Sequence, residues 1–203
     1  MNFELNEIQK DIQDIATKFA SREIAPIIDA DERDGFFRRE LFPKAGAAGL
    51  LGITAEEQFG GANLGTLEYS LALEAIAYQS SGYAVSLSVT ALPQSIIQKF
   101  GDQKQKEKYM PEIIAGTKIG AFVLTEPGHG SDAANLKTTA QKQGNHYVLN
   151  GVKQFITNGE HADISIVMAR TGGEGAYGIS AFIVEKNFSG VRGGKIEKKM
   201  GMK

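Results

Sequence analysis

The chain has 203 residues, of which 42% are hydrophobic and 23% are charged, and its formal net charge is -2. These values are typical of a folded protein of one or two domains and exclude a disordered chain. The 22 basic residues nearly balance the 24 acidic ones, which argues against a nucleic-acid partner. No apolar run reaches the roughly 20 residues of a membrane span, and the absence of cysteine excludes disulfides and thiolate metal sites. Because the first residues lack the features of a signal or transit peptide, we expect a cytoplasmic protein.

The first part of the chain carries helix signals. Asn6 with Gln9 predicts a capping-box start. Apolar residues then recur at spacings of three and four and predict one buried stripe: Ile8, Ile12, Ile15 and Phe19. Three more helices are predicted over residues 39–48, 67–78 and 83–100, and Asp102 with Gln105 predicts the capped start of a fifth that ends at Gly116.

From about residue 119 the pattern changes to strands. Residues 121–124 form a short apolar run, and residues 164–169 and 179–184 form two more. Asn150-Gly151 lies between the runs 147–149 and 152–156, which predicts a β-hairpin with its turn at this dipeptide. The sequence therefore predicts an α+β protein, with an all-helical domain over residues 1–118 followed by an antiparallel β domain over residues 119–203.

Two segments of the β half carry residue types suited to ligand binding. The loop over residues 125–132 contains glycines whose exposed N–H groups are able to bind a phosphate, but it matches neither dinucleotide-binding nor Walker motifs. On composition alone, a plain connecting loop is the commoner meaning. Phe155 and Thr157 would point to the same side of a strand and present a ring and a hydroxyl to a planar ligand. On the residues alone, a core aromatic is the more frequent role of Phe155.

Taken together, these segments resemble the acyl-CoA dehydrogenase family. Residues 121–132 resemble its first signature, with Thr-Glu-Pro followed by Gly-Ser-Asp, and residues 151–159 resemble its aromatic-Ile-Thr-Asn segment. Residues 100–106 and 199–203 resemble two further family segments in the same order. The resemblance covers the whole chain and implies the family's helical N-terminal domain and its middle β domain. By the same resemblance the β domain is incomplete at its C-terminus, and a C-terminal helical domain is expected to be absent.

The resemblance implies FAD as cofactor and an acyl-CoA as substrate. Eight residues are expected to contact FAD: Phe122, Leu124, Thr125, Gly130, Ser131, Phe155, Ile156 and Thr157. Ser131 is also expected to lie against the acyl-CoA. The fourth helix lines the acyl pocket in the family, which would place Val85, Ser88 and Leu92 there, although a core stripe is the commoner meaning of their spacing.

The implied reaction is FAD-dependent α,β-dehydrogenation of the thioester to trans-2-enoyl-CoA, as in fatty-acid β-oxidation. An electron-transferring flavoprotein is the expected acceptor, and the full-length protein is expected to be a homo-oligomer. Glu126 belongs to the flavin loop in the family, and the catalytic glutamate comes from the C-terminal domain, so no catalytic residue is assigned and the 203 residues alone are expected to be inactive. Two alternatives stay open: an acyl-CoA oxidase or other flavoenzyme on the same scaffold, and a non-catalytic binding module. No metal site is expected, because His129, His146 and His161 show no ligand spacing.

Overall fold

The computed structural model of the protein describes residues 4–202. The chain divides into two compact units, one made of Met1–Ile119 with Lys198–Lys203 and the other of Gly120–Glu197. Helices occupy the first unit and a sheet the second, which confirms the predicted α+β class. Lys203, the end of the last family-like segment, lies outside the described residues.

The helices of the first unit agree in position with most of the predicted ones. They are α1 (Glu7–Phe19), α2 (Ile28–Asp34), α3 (Leu41–Ala47), α4 (Thr66–Gln79), α5 (Ser81–Phe100) and α6 (Gln103–Ile114). Both predicted capping boxes are confirmed, because Asn6 and Asp102 each accept from the N–H at the third helical residue and receive a reciprocal bond. No helix in residues 4–202 is long and apolar enough to span a membrane.

The predicted apolar stripe of α1 is wrong at two of its four positions. Ile8 and Ile15 are exposed, whereas Ala16 and Phe19 are buried. A π-helical segment, Ala20–Ile24, continues the helix and adds buried Ala20 and Ile24 to the core. The helical spacing rule picks the buried face from the large apolar side chains. In this helix the buried face contains small alanines, which allow α4 to pack closely against it.

Helix α2 carries a buried polar cluster that the sequence did not predict. Asp31 is only 4% exposed. Its carboxylate accepts from Arg38 Nε at 2.9 Å and Nη2 at 2.8 Å, and from the Tyr83 hydroxyl at 2.7 Å. Burial and the hydrogen bond to Asp31 raise the pKa of Tyr83, so its hydroxyl stays a donor. The cluster therefore ties α2 to α5 through side chains.

The second unit contains one five-stranded sheet. Its strands are β1 (Gly120–Val123), β2 (Thr139–Gln143), β3 (His146–Asn150), β4 (Ile164–Arg170) and β5 (Ile179–Glu185). β4 pairs in parallel with β1, where Gly120 lies opposite Ile164. It also pairs in parallel with the start of β2, where Thr139 lies opposite Arg170. β5 pairs with β4 in the antiparallel direction. The sheet is therefore mixed rather than purely antiparallel. The connection from β1 to β4 contains β2 and β3 and is long enough for a parallel crossover.

The predicted hairpin at Asn150-Gly151 is wrong. β3 pairs instead with the preceding strand β2 through a turn at Gly144 and Asn145, where Gly144 has φ of 61°. Residues 151–156 leave the sheet. Gly151 is needed for close packing rather than for a turn, because a Cβ there would lie 2.2 Å from Thr138 Oγ1.

Candidate functional site

The loop after β1 and the segment after β3 lie side by side in the second unit. Gln154 N–H donates to the carbonyl of Thr125 at 2.8 Å. Within the loop, Glu126 and His129 exchange two backbone hydrogen bonds of 3.1 Å, which makes the loop a tight turn. The structure thus brings together the two segments that the sequence singled out, although they are far apart along the chain.

A buried ion pair joins the same two segments. Lys153 Nζ lies 2.9 Å from Glu126 Oε1 and donates to the Leu124 carbonyl at 2.8 Å. Glu126 also accepts from the backbone N–H groups of Lys137, at 2.6 Å, and Thr138, at 2.8 Å. The two side chains are only 9% and 5% exposed, for Lys153 and Glu126 respectively.

The protonation state of Glu126 follows from these contacts. Burial by itself raises the pKa of a carboxyl group, but the hydrogen bonds from Thr138, Lys137 and Lys153 outweigh it and lower the pKa of Glu126 to about 2. Glu126 is therefore a fixed anion at neutral pH. Its contacts make it a structural acceptor that joins the loop to residues 137, 138 and 153.

All eight residues assigned to FAD lie at or near the surface of the second unit. Gly130, Ser131, Phe155 and Thr157 are exposed, and the others are half-buried: Phe122, Leu124, Thr125 and Ile156. Phe155 is 71% exposed, so it is not the core aromatic that its residue type alone favours. The structure leaves its ring open to a flat ligand.

Phe155 and Thr157 do not reach this surface by strand alternation. Phe155 has a left-handed backbone, with φ of 57°, and Asn158 has φ of 63°. Asn158 is buried and its Nδ2 donates to the Gly120 carbonyl of β1 at 3.1 Å. The prediction that Phe155 and Thr157 share one face assumed a β-strand, and this segment is not a strand. The left-handed backbone at Phe155 and Asn158 and the anchoring Asn158 amide set the directions of the side chains instead.

The loop has the donors and the space that a phosphate-bearing cofactor requires. A Cβ added at Gly128 or Gly130 would meet nothing within 4 Å, so a ligand is able to approach the backbone there. Within residues 4–202, the N–H groups of Gly128, Gly130 and Ser131 donate to no acceptor, and the Thr157 hydroxyl is also without a partner. Backbone donors, a free hydroxyl and an exposed aromatic ring fit a flavin nucleotide.

Two site features were missed by reasoning from the sequence: the pair of Lys153 with Glu126, and the anchor at Asn158. Lys153 lies two residues before the exposed ring, and no spacing rule connects it with a carboxylate 27 residues earlier. The only usable signal was the density of polar residues around Phe155. In the described residues no group of three or more His, Cys, Asp or Glu side chains is placed to hold a metal ion.

An apolar groove in the first unit lies between α4 and α5. Its lining residues are Leu73, Glu74, Ala77, Ser81, Ala84, Val85 and Ser88. Val85 and Ser88, which the spacing placed on one face of α5, are therefore accessible rather than part of a core stripe. Leu92 is also exposed but does not line the groove.

Two family models match most of the chain. They are described as the acyl-CoA dehydrogenase N-terminal domain, which matches residues 6–117, and the acyl-CoA dehydrogenase middle domain, which matches residues 121–203.

Individual proteins agree with this match. The chain is 47% identical to an acyl-CoA dehydrogenase of Bacillus subtilis over 91% of this chain and 49% of that protein. The solved butyryl-CoA dehydrogenase of Megasphaera elsdenii is 41% identical with a TM-score of 0.95, over 100% of this chain and 54% of that one. A glutaryl-CoA dehydrogenase of Mycobacterium smegmatis in complex with FADH2 is 30% identical with a TM-score of 0.91, over 98% of this chain and 50% of that one.

The chain thus spans about half the length of the relatives that it matches. The two matched domains correspond to a helical and a β part in the same order as in the structure. The resemblance noted in the sequence is confirmed, and this chain belongs to the acyl-CoA dehydrogenase family.

Proposed function

We propose that the protein takes part in FAD-dependent α,β-dehydrogenation of an acyl-CoA thioester to the trans-2-enoyl-CoA. The observation that carries the proposal is the joining of the 125–132 loop to the Phe155–Thr157 segment, with free donors and an exposed ring. The relative that is described in complex with FADH2 supports the same cofactor. An electron-transferring flavoprotein is the proposed acceptor, and a homo-oligomeric full-length protein and a cytoplasmic location stay predictions.

We assign the residues of the site roles that agree with their exposure and free donors. The N–H groups of Gly130 and Ser131 would bind pyrophosphate oxygens and the ring of Phe155 would pack on the isoalloxazine, with Phe122, Leu124, Thr125 and Ile156 as the half-buried floor. The hydroxyl of Thr157 would donate a hydrogen bond to the isoalloxazine, and Ser131 would also contact the acyl-CoA. When bound, the flavin supplies the acceptor for the hydride that leaves Cβ.

The proton at Cα requires a base whose pKa lies near neutral pH. Glu126 cannot supply it, because its pKa is about 2 and both its oxygens are already hydrogen-bonded. We therefore propose that residues 1–203 alone have no dehydrogenase turnover. Appreciable turnover by this chain with an acyl-CoA and an artificial electron acceptor would contradict this part of the proposal.

The groove between α4 and α5 is the proposed place of the acyl chain. Alanines 77 and 84 and Val85 give it an apolar lining, which is what an alkyl chain requires. Replacing Ala77 by Trp would fill the groove, and we expect acyl-CoA binding to weaken while FAD binding stays unchanged. Equal acyl-CoA binding by the variant and the wild type would remove the groove from the proposal.

The cofactor assignment is tested by titrating the chain with FAD and following the visible absorption of the flavin. Binding is expected to shift the flavin bands, and Phe155→Ala and Thr157→Val are expected to weaken it by about tenfold each, the size of one lost ring or hydrogen-bond contact. Phe188→Ala is the matched control, since Phe188 is a partly exposed phenylalanine in a turn of the same unit. Unchanged flavin bands at saturating FAD, or equal affinity for all variants, would refute the assignment.

A further inference from the structure

The ion pair of Lys153 and Glu126 stands at one end of the segment 155–157. Lys153 donates to Glu126 and to the Leu124 carbonyl, and its neighbour Gln154 donates to the Thr125 carbonyl. We call these three bonds the staple. Each bond joins the segment after β3 to the loop after β1, so the staple fixes the backbone directly before Phe155.

The other end of the same segment is also fixed. The Asn158 side chain donates to the Gly120 carbonyl of β1, and the Asn158 carbonyl accepts from the N–H groups of His161 and Ala162. The residues between these two anchors, 155–157, have no backbone donor bond of their own among the described contacts. Apart from the Ile156 carbonyl, which accepts from the Gly159 N–H at 3.0 Å, the backbone of the segment is held through the anchors.

The conformation held in this way is a costly one. A left-handed backbone is unfavourable for a non-glycine residue, and Phe155 adopts it with φ of 57°. Such a conformation persists only where its surroundings impose it. Burial of the phenylalanine ring does not impose it, because the ring is largely exposed.

We propose that Lys153 is a positioning residue, which, through the staple, holds Phe155, Ile156 and Thr157 in the conformation that binds flavin before the flavin arrives. This inference rests on the proposed function. A lysine with a side chain 9% exposed requires an anionic partner, and Glu126 supplies it from the loop that carries the phosphate donors. One buried charge pair therefore sets the ring, the hydroxyl and the loop relative to one another.

If Lys153 served stability alone, flavin affinity would recover together with stability once no unpaired charge is left. In Lys153→Met the Glu126 anion loses its cation, so both stability and flavin affinity fall. In the double variant Lys153→Met/Glu126→Gln no unpaired charge is left, and the amide oxygen still accepts one of the two backbone N–H groups, so stability rises above that of Lys153→Met. The bond to the Leu124 carbonyl does not return, so only the Gln154 bond of the staple is left to hold this end of the segment.

The experiment compares wild type, both variants and Lys142→Met, a matched control on an exposed lysine of β2. Amide exchange is measured at Gln154 and Gly159, whose N–H groups bond Thr125 and Ile156, and at Ile166 in β4 as an internal reference. FAD affinity is measured by flavin absorption, and global stability by urea unfolding. If the segment is competent for about a tenth of the time, affinity falls about tenfold.

The proposal expects the double variant to be more stable than Lys153→Met but to keep fast exchange at Gln154 and a flavin affinity about tenfold below wild type. Recovery of slow exchange and of flavin affinity together with stability would overturn it, as would wild-type behaviour of Lys153→Met. If the wild type binds no FAD, the proposed function fails, and exchange at Gln154 still decides the role of Lys153: faster exchange in the double variant supports it, and unchanged exchange overturns it.

Discussion

Two buried carboxylates, one in each unit, are neutralised in different ways. Asp31 is held by side chains only, the guanidinium of Arg38 and the hydroxyl of Tyr83. Glu126 is held by two backbone N–H groups and the ammonium of Lys153. The Arg38 side chain is 30% exposed, whereas Lys153 is as buried as its partner.

The two carboxylates have different structural effects. Asp31 joins two helices, whereas Glu126 fixes loops of the proposed site. Side-chain contacts to Asp31 join α2 and α5 but leave the backbone of each helix to its own hydrogen bonds. The contacts of Glu126 and Lys153 act on backbone outside the helices and strands, at residues 124, 137 and 138. The buried charge of the second unit therefore lies where loops have to be fixed, which is at the proposed flavin site.

The largest expected effect comes from removing the carboxylate of the second unit. Glu126→Ala leaves the buried Lys153 ammonium without its anionic partner and two backbone donors without an acceptor, and we expect the free energy of unfolding to fall by about 3–5 kcal/mol. Urea unfolding at pH 7 measures it. The control is Glu174→Ala, an exposed carboxylate of the same unit, which is expected to change stability by less than about 0.5 kcal/mol. A loss below about 1 kcal/mol for Glu126→Ala would erase the contrast with exposed carboxylates.

Lowering the pH is expected to reduce the stability of the wild type by less than Glu126→Ala does. The folded pKa of Glu126 is about 2, below the unfolded value of about 4.3, so its contribution is complete above the unfolded pKa and is lost as pH falls toward 2. The loss is on the order of 3 kcal/mol over the whole window and about 2 kcal/mol by pH 3. We expect Glu126→Gln, which does not titrate, to lose less stability than wild type between pH 5 and pH 3. Parallel curves for the two proteins would show that Glu126 is not held as an anion.

The helical cluster is expected to respond more weakly. Tyr83→Phe removes one donor at 2.7 Å from Asp31, but both bonds from Arg38 remain, so we expect a loss of about 1–2 kcal/mol in the free energy of unfolding. Tyr177→Phe is the control, because the Tyr177 side chain is fully exposed. A loss for Tyr83→Phe as large as that for Glu126→Ala would mean that the two clusters are equivalent, against the comparison drawn above.

Local signals predicted much of the helical unit. Asn6 and Asp102 are capping residues whose partners lie three positions away, so the sequence contains the whole interaction. Helix α2 was missed because its seven residues carry no capping bond and no apolar stripe, although Gly35, with φ of 68°, marks its end. Burial failed on α1, where exposed Ile8 and Ile15 are larger than the alanines that pack.

The β unit was less predictable, because its contacts join distant residues. Asn150-Gly151 has the composition of a tight turn, but packing of Gly151 against Thr138 and the bond from Gln154 to Thr125 draw the chain out of the sheet. The family resemblance identified Phe155 and Thr157 by their residue types. The strand geometry predicted for them from the sequence was wrong. Lys153 had no local signal, since its partner is fixed only by the fold.

The smallest expected effect has the opposite sign. The helical unit also has a left-handed residue, Asn63 with φ of 50°. Asparagine adopts that conformation at low cost, whereas phenylalanine is strained in it. Phe155→Asn is therefore expected to raise the free energy of unfolding by about 0.5–1 kcal/mol, because little burial is lost with a ring 71% exposed. FAD affinity is expected to fall at the same time, so that stability is gained where binding is lost. Phe155→Leu is the matched control: it also removes the ring but keeps the strained backbone, and an equal gain in stability for Leu would trace the effect to the exposed ring instead of to the strain that the staple imposes.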